Sequence, residues 1–119
     1  MKSISAIALA FCIGLPGGAL AGTYWYCQFT PKNNQKLTYF SDAFGPVVNS
    51  GVGGNTTGRR MTRAMKAYMA EKYSGMDGFP GCAYFDSVDK AKADIKRNEG
   101  LAIKNGGKFI AIGWRYTGS

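Results

Sequence analysis

Thr23-Tyr24-Trp25-Tyr26-Cys27-Gln28-Phe29 is the stretch on which the reading of this chain turns. Four of its seven residues are aromatic, and rings of this size suit the pleated, half-buried surface of a strand. Alternation places Trp25, Cys27 and Phe29 on one face and Tyr24 and Tyr26 on the other, so the segment predicts a first strand with a single core-facing side. Pro31-Lys32-Asn33-Asn34-Gln35 is turn chemistry, and Lys36-Leu37-Thr38-Tyr39-Phe40 resumes strand-like residues. The two segments predict a hairpin.

Downstream the punctuation changes. From Gly45 to Gly58 the chain is too rich in glycine and turn formers to sustain a helix or strand, which predicts a mobile surface loop. Arg59 to Tyr73 reads as a first helix, because Met61, Ala64, Met65, Tyr68 and Met69 recur at helical spacing and form one core-facing stripe. Ser74-Gly75 ends it, and Met76 to Gly81 reads as a turn that delivers Cys82. Asp86 or Ser87 can cap a second helix running to about Asn105, with Val88, Ala91, Ile95 and Ala102 along its buried side. Asn105-Gly106-Gly107 terminates that helix by the left-handed route open to glycine. Lys108 to Tyr116 then reads as a third strand, with Ile110, Ile112, Trp114 and Tyr116 on one face. The expected fold is α+β in β-β-α-α-β order: a small three-stranded, mostly antiparallel sheet packed on one side by both helices. No internal repeat or second domain is visible.

The N-terminus has the pattern of an export signal. Lys2 supplies a positive start, the run from Ile4 to Leu15 is apolar but shorter than the roughly 20 residues of a membrane span, and Ala19-Leu20-Ala21 carries small residues where a signal peptidase cuts. Residues 1–21 are read as a signal peptide, with no transmembrane anchor, and 22–119 as a single exported domain, periplasmic or secreted. Cys12 does not suggest a lipoprotein, because Phe11 and not a small residue precedes it. Once Cys12 is removed, Cys27 and Cys82 are the remaining pair, and in an oxidising compartment they predict one disulfide. The chain carries 15 basic and 7 acidic side chains, for a net +8, and loss of Lys2 leaves the domain at +7. Such a charge favours encounter with anionic partners such as nucleic acid, phosphate-bearing polymers, a membrane surface or an acidic protein, without choosing among them.

Composition also excludes chemistry. With no histidine, Ser-His and Cys-His nucleophile systems, the usual zinc sites and the commonest general base are gone. A bridged cysteine pair leaves no thiol. A carboxylate pair of the glycosidase kind is the surviving enzymatic option, drawn from Asp42, Glu71, Asp77, Asp86, Asp89, Asp94 and Glu99, most of which fall where caps or solvated helix faces would put them. Gly53 to Gly58 followed by Arg59 has the glycine spacing of a phosphate loop but lacks its lysine and its hydroxyl residue, so nucleotide hydrolysis is rejected. Asn55-Thr56-Thr57 is formally a glycosylation sequon and carries no weight alone.

No catalytic residue, metal or cofactor is expected, and the sequence favours a non-enzymatic, extracytoplasmic protein-binding module, for instance an inhibitor or immunity-type protein that caps another protein. The alternative is an anionic-polymer binder working through the start of the first helix. There Arg59, Arg60 and Arg63 crowd the positive end of the macrodipole, an arrangement an anion would relieve, with Arg59, Arg63 and Lys66 along one side. A second candidate contact is an exposed aromatic sheet face carrying Tyr24 and Tyr26.

Overall fold

The structure is a computed structural model that describes residues 23–48 and 55–117. The expected signal peptide, Cys12 and the phosphate-loop-like glycines before Asn55 lie outside the described residues. The elements are β1 (Thr23–Pro31), β2 (Leu37–Phe40), β3 (Phe44–Val47), α1 (Asn55–Lys72), β4 (Gly78–Phe85), α2 (Val88–Lys104) and β5 (Lys108–Ala111). The fold is α+β with two helices and one disulfide, but the sheet is a curled, mixed one of five strands, not three.

β1 organises everything. One of its edges pairs antiparallel with all of β4, from Tyr24 opposite Phe85 to Pro31 opposite Gly78. The other edge is shared: Gln28 and Phe29 pair with Phe40 and Tyr39 of β2, while Thr23 and Trp25 pair with Val47 and Phe44 of β3. β2 and β3 are thus two pieces of one strand direction, interrupted at residues 41–43. Ser41 closes the interruption. Its N–H donates to the Cys27 carbonyl at 2.9 Å, and its buried hydroxyl accepts the Cys27 N–H at 2.9 Å, so the side chain stands in for a missing ladder carbonyl. The expected hairpin between the first two strands is present. The expected loop is shorter than read, because residues 44–47 form a strand and the helix begins at Asn55. Gly45 is what permits the strand: its φ is +139°, and a Cβ there would stand 2.7 Å from the Thr23 carbonyl oxygen.

β4 replaces the expected turn before Cys82. Cys27 and Cys82 face each other directly across β1 and β4 with Cα atoms 4.0 Å apart, so the disulfide braces two strands and does not tie a strand to the start of a helix. Its loop spans 55 residues, a closure that stabilises by about 4 kcal/mol on the chain-entropy argument.

β5 departs from the antiparallel expectation, pairing parallel with β2 from Leu37 opposite Lys108 to Phe40 opposite Ala111. The reason is geometric. The 17 residues of α2 rise about 26 Å, close to the length of the 8-residue β4, so α2 carries the chain back to the level at which β4 began. The next strand must then run in β4's direction, which is also β2's. α1 connects β3 to β4 in one direction across the sheet, and α2 connects β4 to β5 in the other. Crossovers of one hand travelling in opposite directions place their helices on opposite faces.

The contacts agree, and they correct the expectation of both helices on one side. Trp25, Cys27 and Phe29 point to α1, where Met61, Met65 and Met69 are fully buried against them. Tyr26, from the alternate face, reaches Asp94 and Asn98 of α2. The C-terminal segment leaves the sheet after Ala111: Ile112, Trp114 and Tyr116 fold onto the α1-side core, with the Trp114 ring 6.0 Å from Tyr68 and edge-on to Phe44. Ser87 caps α2 by accepting the Lys90 N–H, and Asn105 with Gly106 (φ +80°) ends it, as the sequence predicts.

Candidate functional site

The expected aromatic contact face does not exist as such. Tyr26 is 1% exposed, covered by α2, and Tyr24 is half-buried beside it. The Tyr26 hydroxyl donates to Asp94 Oδ2 at 2.7 Å and accepts from Asn98 Nδ2 at 2.5 Å, while Arg97 pairs with Asp94 Oδ1 at 2.5 Å. Burial, reinforced by the hydrogen bond donated to a carboxylate, pushes the Tyr26 phenol far above its ordinary range. Partial burial alone would raise Asp94, but the hydrogen bonds from Tyr26, Arg97 and Asn98 outweigh it and hold the carboxyl below its ordinary range. The Arg97 hydrogen bond to Asp94 raises the guanidinium in turn. This cluster holds α2 to the sheet and presents no open reactive group.

The basic candidates divide. Arg59, Arg60 and Arg63 are exposed, and none is in an ion pair among the described residues. Lys66 is spoken for in part, 3.7 Å from Asp77. At 100° per residue Arg59, Arg63 and Lys66 do share the side opposite Met61 and Met65, whereas Arg60 lies off that line. The helix starts four residues earlier than expected, however. Its first turn is formed by residues 55–58, so the arginines stand beyond that turn and the macrodipole argument for an anion is correspondingly weaker. Four of the seven acids are in ion pairs among the described residues: Asp42 with Arg115, Asp77 with Lys66, Asp86 with Lys90 and Asp94 with Arg97. Among the described residues no cluster of three or more metal-ligating side chains is found. No described helix is long and apolar enough to cross a membrane.

One of several surface grooves joins three segments that are distant in the chain. It encloses about 410 Å³ at the interruption between β2 and β3, where Phe40, Val88 and Ile95 form the floor and Lys92, Arg115 and Asp42 the rim. Other grooves of similar size mix the same chemistries: Tyr73 and Met76 with Lys32 and Asp77 at the turn after α1, and Leu37 and Ile110 with Lys36 and Lys108 beside the glycines after α2. The β2 end of the floor is held by named contacts. Phe40 stacks on Phe109 with ring centroids 4.0 Å apart, the Phe40 carbonyl accepts the Ile112 N–H, and the Asp42 N–H donates to the Trp114 carbonyl. The position of Ser41 beneath it is fixed by Cys27. The groove was not visible in the sequence, where Phe40 read as the end of a strand and Val88 and Ile95 as part of the buried side of the second helix. The groove arises where three distant segments converge. No known protein family, curated protein or solved structure matches this chain.

Proposed function

We propose that this chain is an extracytoplasmic, non-enzymatic protein-binding module of the inhibitor or immunity kind, and that its partner is an acidic protein. The observation that carries the reading is the groove at the β2–β3 interruption: an apolar floor of Phe40, Val88 and Ile95 beneath Lys92, with Arg115 paired to Asp42 on the same rim. An apolar floor desolvates an inserted side chain, and Lys92 on the rim selects a neighbouring carboxylate. The net +7 of the domain without residues 1–21 acts in the same direction over longer range. A disulfide-braced sheet suits this role, because a rigid binding surface loses little entropy on association.

Affinity-tagged protein offered to envelope and secreted fractions is expected to recover one stoichiometric partner, with the recovered bait beginning at Gly22. Lys92→Glu is expected to weaken that complex at least about tenfold, the scale of a close charge pair at an interface. Recovery of no partner, or a complex indifferent to Lys92→Glu and Val88→Ala, contradicts the reading.

The second reading, direct binding of nucleic acid or a phosphate-bearing envelope polymer, draws support from Arg59, Arg60 and Arg63 on α1, which are exposed and in no ion pair among the described residues. Its signature is affinity that falls steeply with salt, with a shallower slope in the triple variant in which these three become alanine. Binding to polyanions that the triple variant retains in full would remove it.

A further inference from the structure

The strand β4 has a free edge whose backbone directions can be assigned. The Cys27–Cys82 pair is of the narrow kind, with Cα atoms 4.0 Å apart, in which neither residue hydrogen-bonds to the other. Cys27 independently agrees, since its N–H and carbonyl both bond to Ser41 on the side away from β4. Residues 79, 81, 83 and 85 therefore bond to β1, and the N–H and carbonyl of Cys82 and Tyr84 point outward, as do the carbonyls of Gly78 and Pro80. Pro80 sits where its missing N–H loses no bond to β1. Among the described residues β1 is the one strand paired with β4.

Edge strands usually carry lysine or another charge that blocks pairing with a second chain. Gly78–Phe85 has no charged residue, in a chain that is 18% charged, and it exposes Phe79 (55%) and Tyr84 (48%). We propose that β4 pairs antiparallel with β4 of a second copy of this chain, about a two-fold axis through Ala83. In that register Cys82 stands opposite the copy's Tyr84 and Tyr84 opposite its Cys82, so both outward N–H groups and both carbonyls of each strand are satisfied by four reciprocal hydrogen bonds. Large side chains meet small ones: Ala83 faces itself, and the Phe85 ring lies over the copy's Gly81, beside which a Cβ would meet nothing within 4 Å. Pairing ends at Pro80, which has no N–H to donate. The assembly goes beyond the proposed partner groove, because its contact is the β4 edge, which β1 separates from β2.

Two equally basic copies repel, so salt should strengthen this dimer, the reverse of its effect on polyanion binding. Sedimentation equilibrium of the purified, oxidised protein is expected to give a doubling of mass that grows more favourable as salt rises. Ala83→Lys, which sets like charges face to face, is expected to restore the monomer. Ala83→Cys should cross-link spontaneously, because the facing residues form a narrow pair about 4.5 Å apart at Cα, whereas Gly81→Cys should not. A monomer at every salt concentration overturns the proposal, as does a dimer that survives Ala83→Lys or cross-links through Gly81→Cys in preference to Ala83→Cys. Because none of these variants touches the groove, loss of the dimer with retained partner recovery would separate this failure from failure of the binding reading.

Discussion

On the α1 side of β1, Trp25, Cys27 and Phe29 meet Met61, Met65 and Met69, and all six are buried to within 2%. On the α2 side Tyr26 meets Asp94, Asn98 and Arg97, and Ala91 is the one side chain of that helix that is wholly buried. The same strand thus holds two helices by different physics. α1 is held by apolar area and dispersion, which depend little on pH. α2 has little apolar area to offer, and its attachment rests on a cluster whose charge states matter. The lesson is that burial alone does not rank the two contacts: the first tolerates acid and fails to cavities, the second does the opposite.

The brace shared by both sides comes first in magnitude. Replacing Cys27 and Cys82 together by alanine is expected to lower the unfolding free energy by about 4 kcal/mol, read as a fall in the urea midpoint. A much smaller loss would mean that the ladder between β1 and β4 stands without its bridge. Next, Met65→Ala leaves a cavity in the α1 contact and is expected to cost about 3 kcal/mol, with the same penalty at acid and neutral pH.

Tyr26→Phe removes the hydroxyl between Asp94 and Asn98 and is expected to cost about 2 kcal/mol near neutrality, the range for a hydrogen bond to a charged group. Its pH dependence sharpens the contrast. Asp94 titrates below its ordinary value in the folded protein, so as pH falls the unfolded chain takes up the proton first. The stability that Asp94 contributes is present above about pH 4 and is lost as pH drops through the folded value. Tyr26 titrates above its ordinary value, so its contribution is present below about pH 10 and declines as pH rises beyond that. In Asp94→Asn the acid limb attributable to this group should vanish. Smallest of all, Lys90→Ala breaks an exposed pair with Asp86 and should change stability by less than about 0.5 kcal/mol. A larger effect would show that the N-terminal end of α2 depends on surface charge and not on the Ser87 cap.

Much of the α1 side was legible in the sequence. The period-two alternation around Cys27 and the helical spacing of Met61, Met65 and Met69 are local signals, and each reports the face that ends up buried. The disulfide was legible by counting cysteines. β4 was not, because Gly78, Pro80 and Gly81 are breakers by composition. Their reasons are tertiary: a Cβ on Gly78 would stand 2.3 Å from the Thr30 carbonyl oxygen, and Pro80 is tolerated because its nitrogen faces outward at a sheet edge. The parallel pairing of β5 follows from the length of α2 only once β4 is known. On the α2 side, Asp94 read as one of the acids of caps and solvated helix faces, since nothing local says that a buried tyrosine will reach it from 68 residues away. Of the candidate site residues, the arginine stripe of α1 was readable from spacing. The groove was not, because Phe40, Val88, Lys92 and Arg115 come together only through the sheet order.

Residue-resolved native-state hydrogen exchange at neutral pH and at about pH 3, below the ordinary carboxyl range, tests the difference between the two helices most directly. The opening free energies of the α2 amides around Asp94 are predicted to fall on acidification by more than those of the α1 amides around Met65, and Asp94→Asn is predicted to abolish that extra fall. Equal losses in both helices, or a greater loss in α1, would contradict the account.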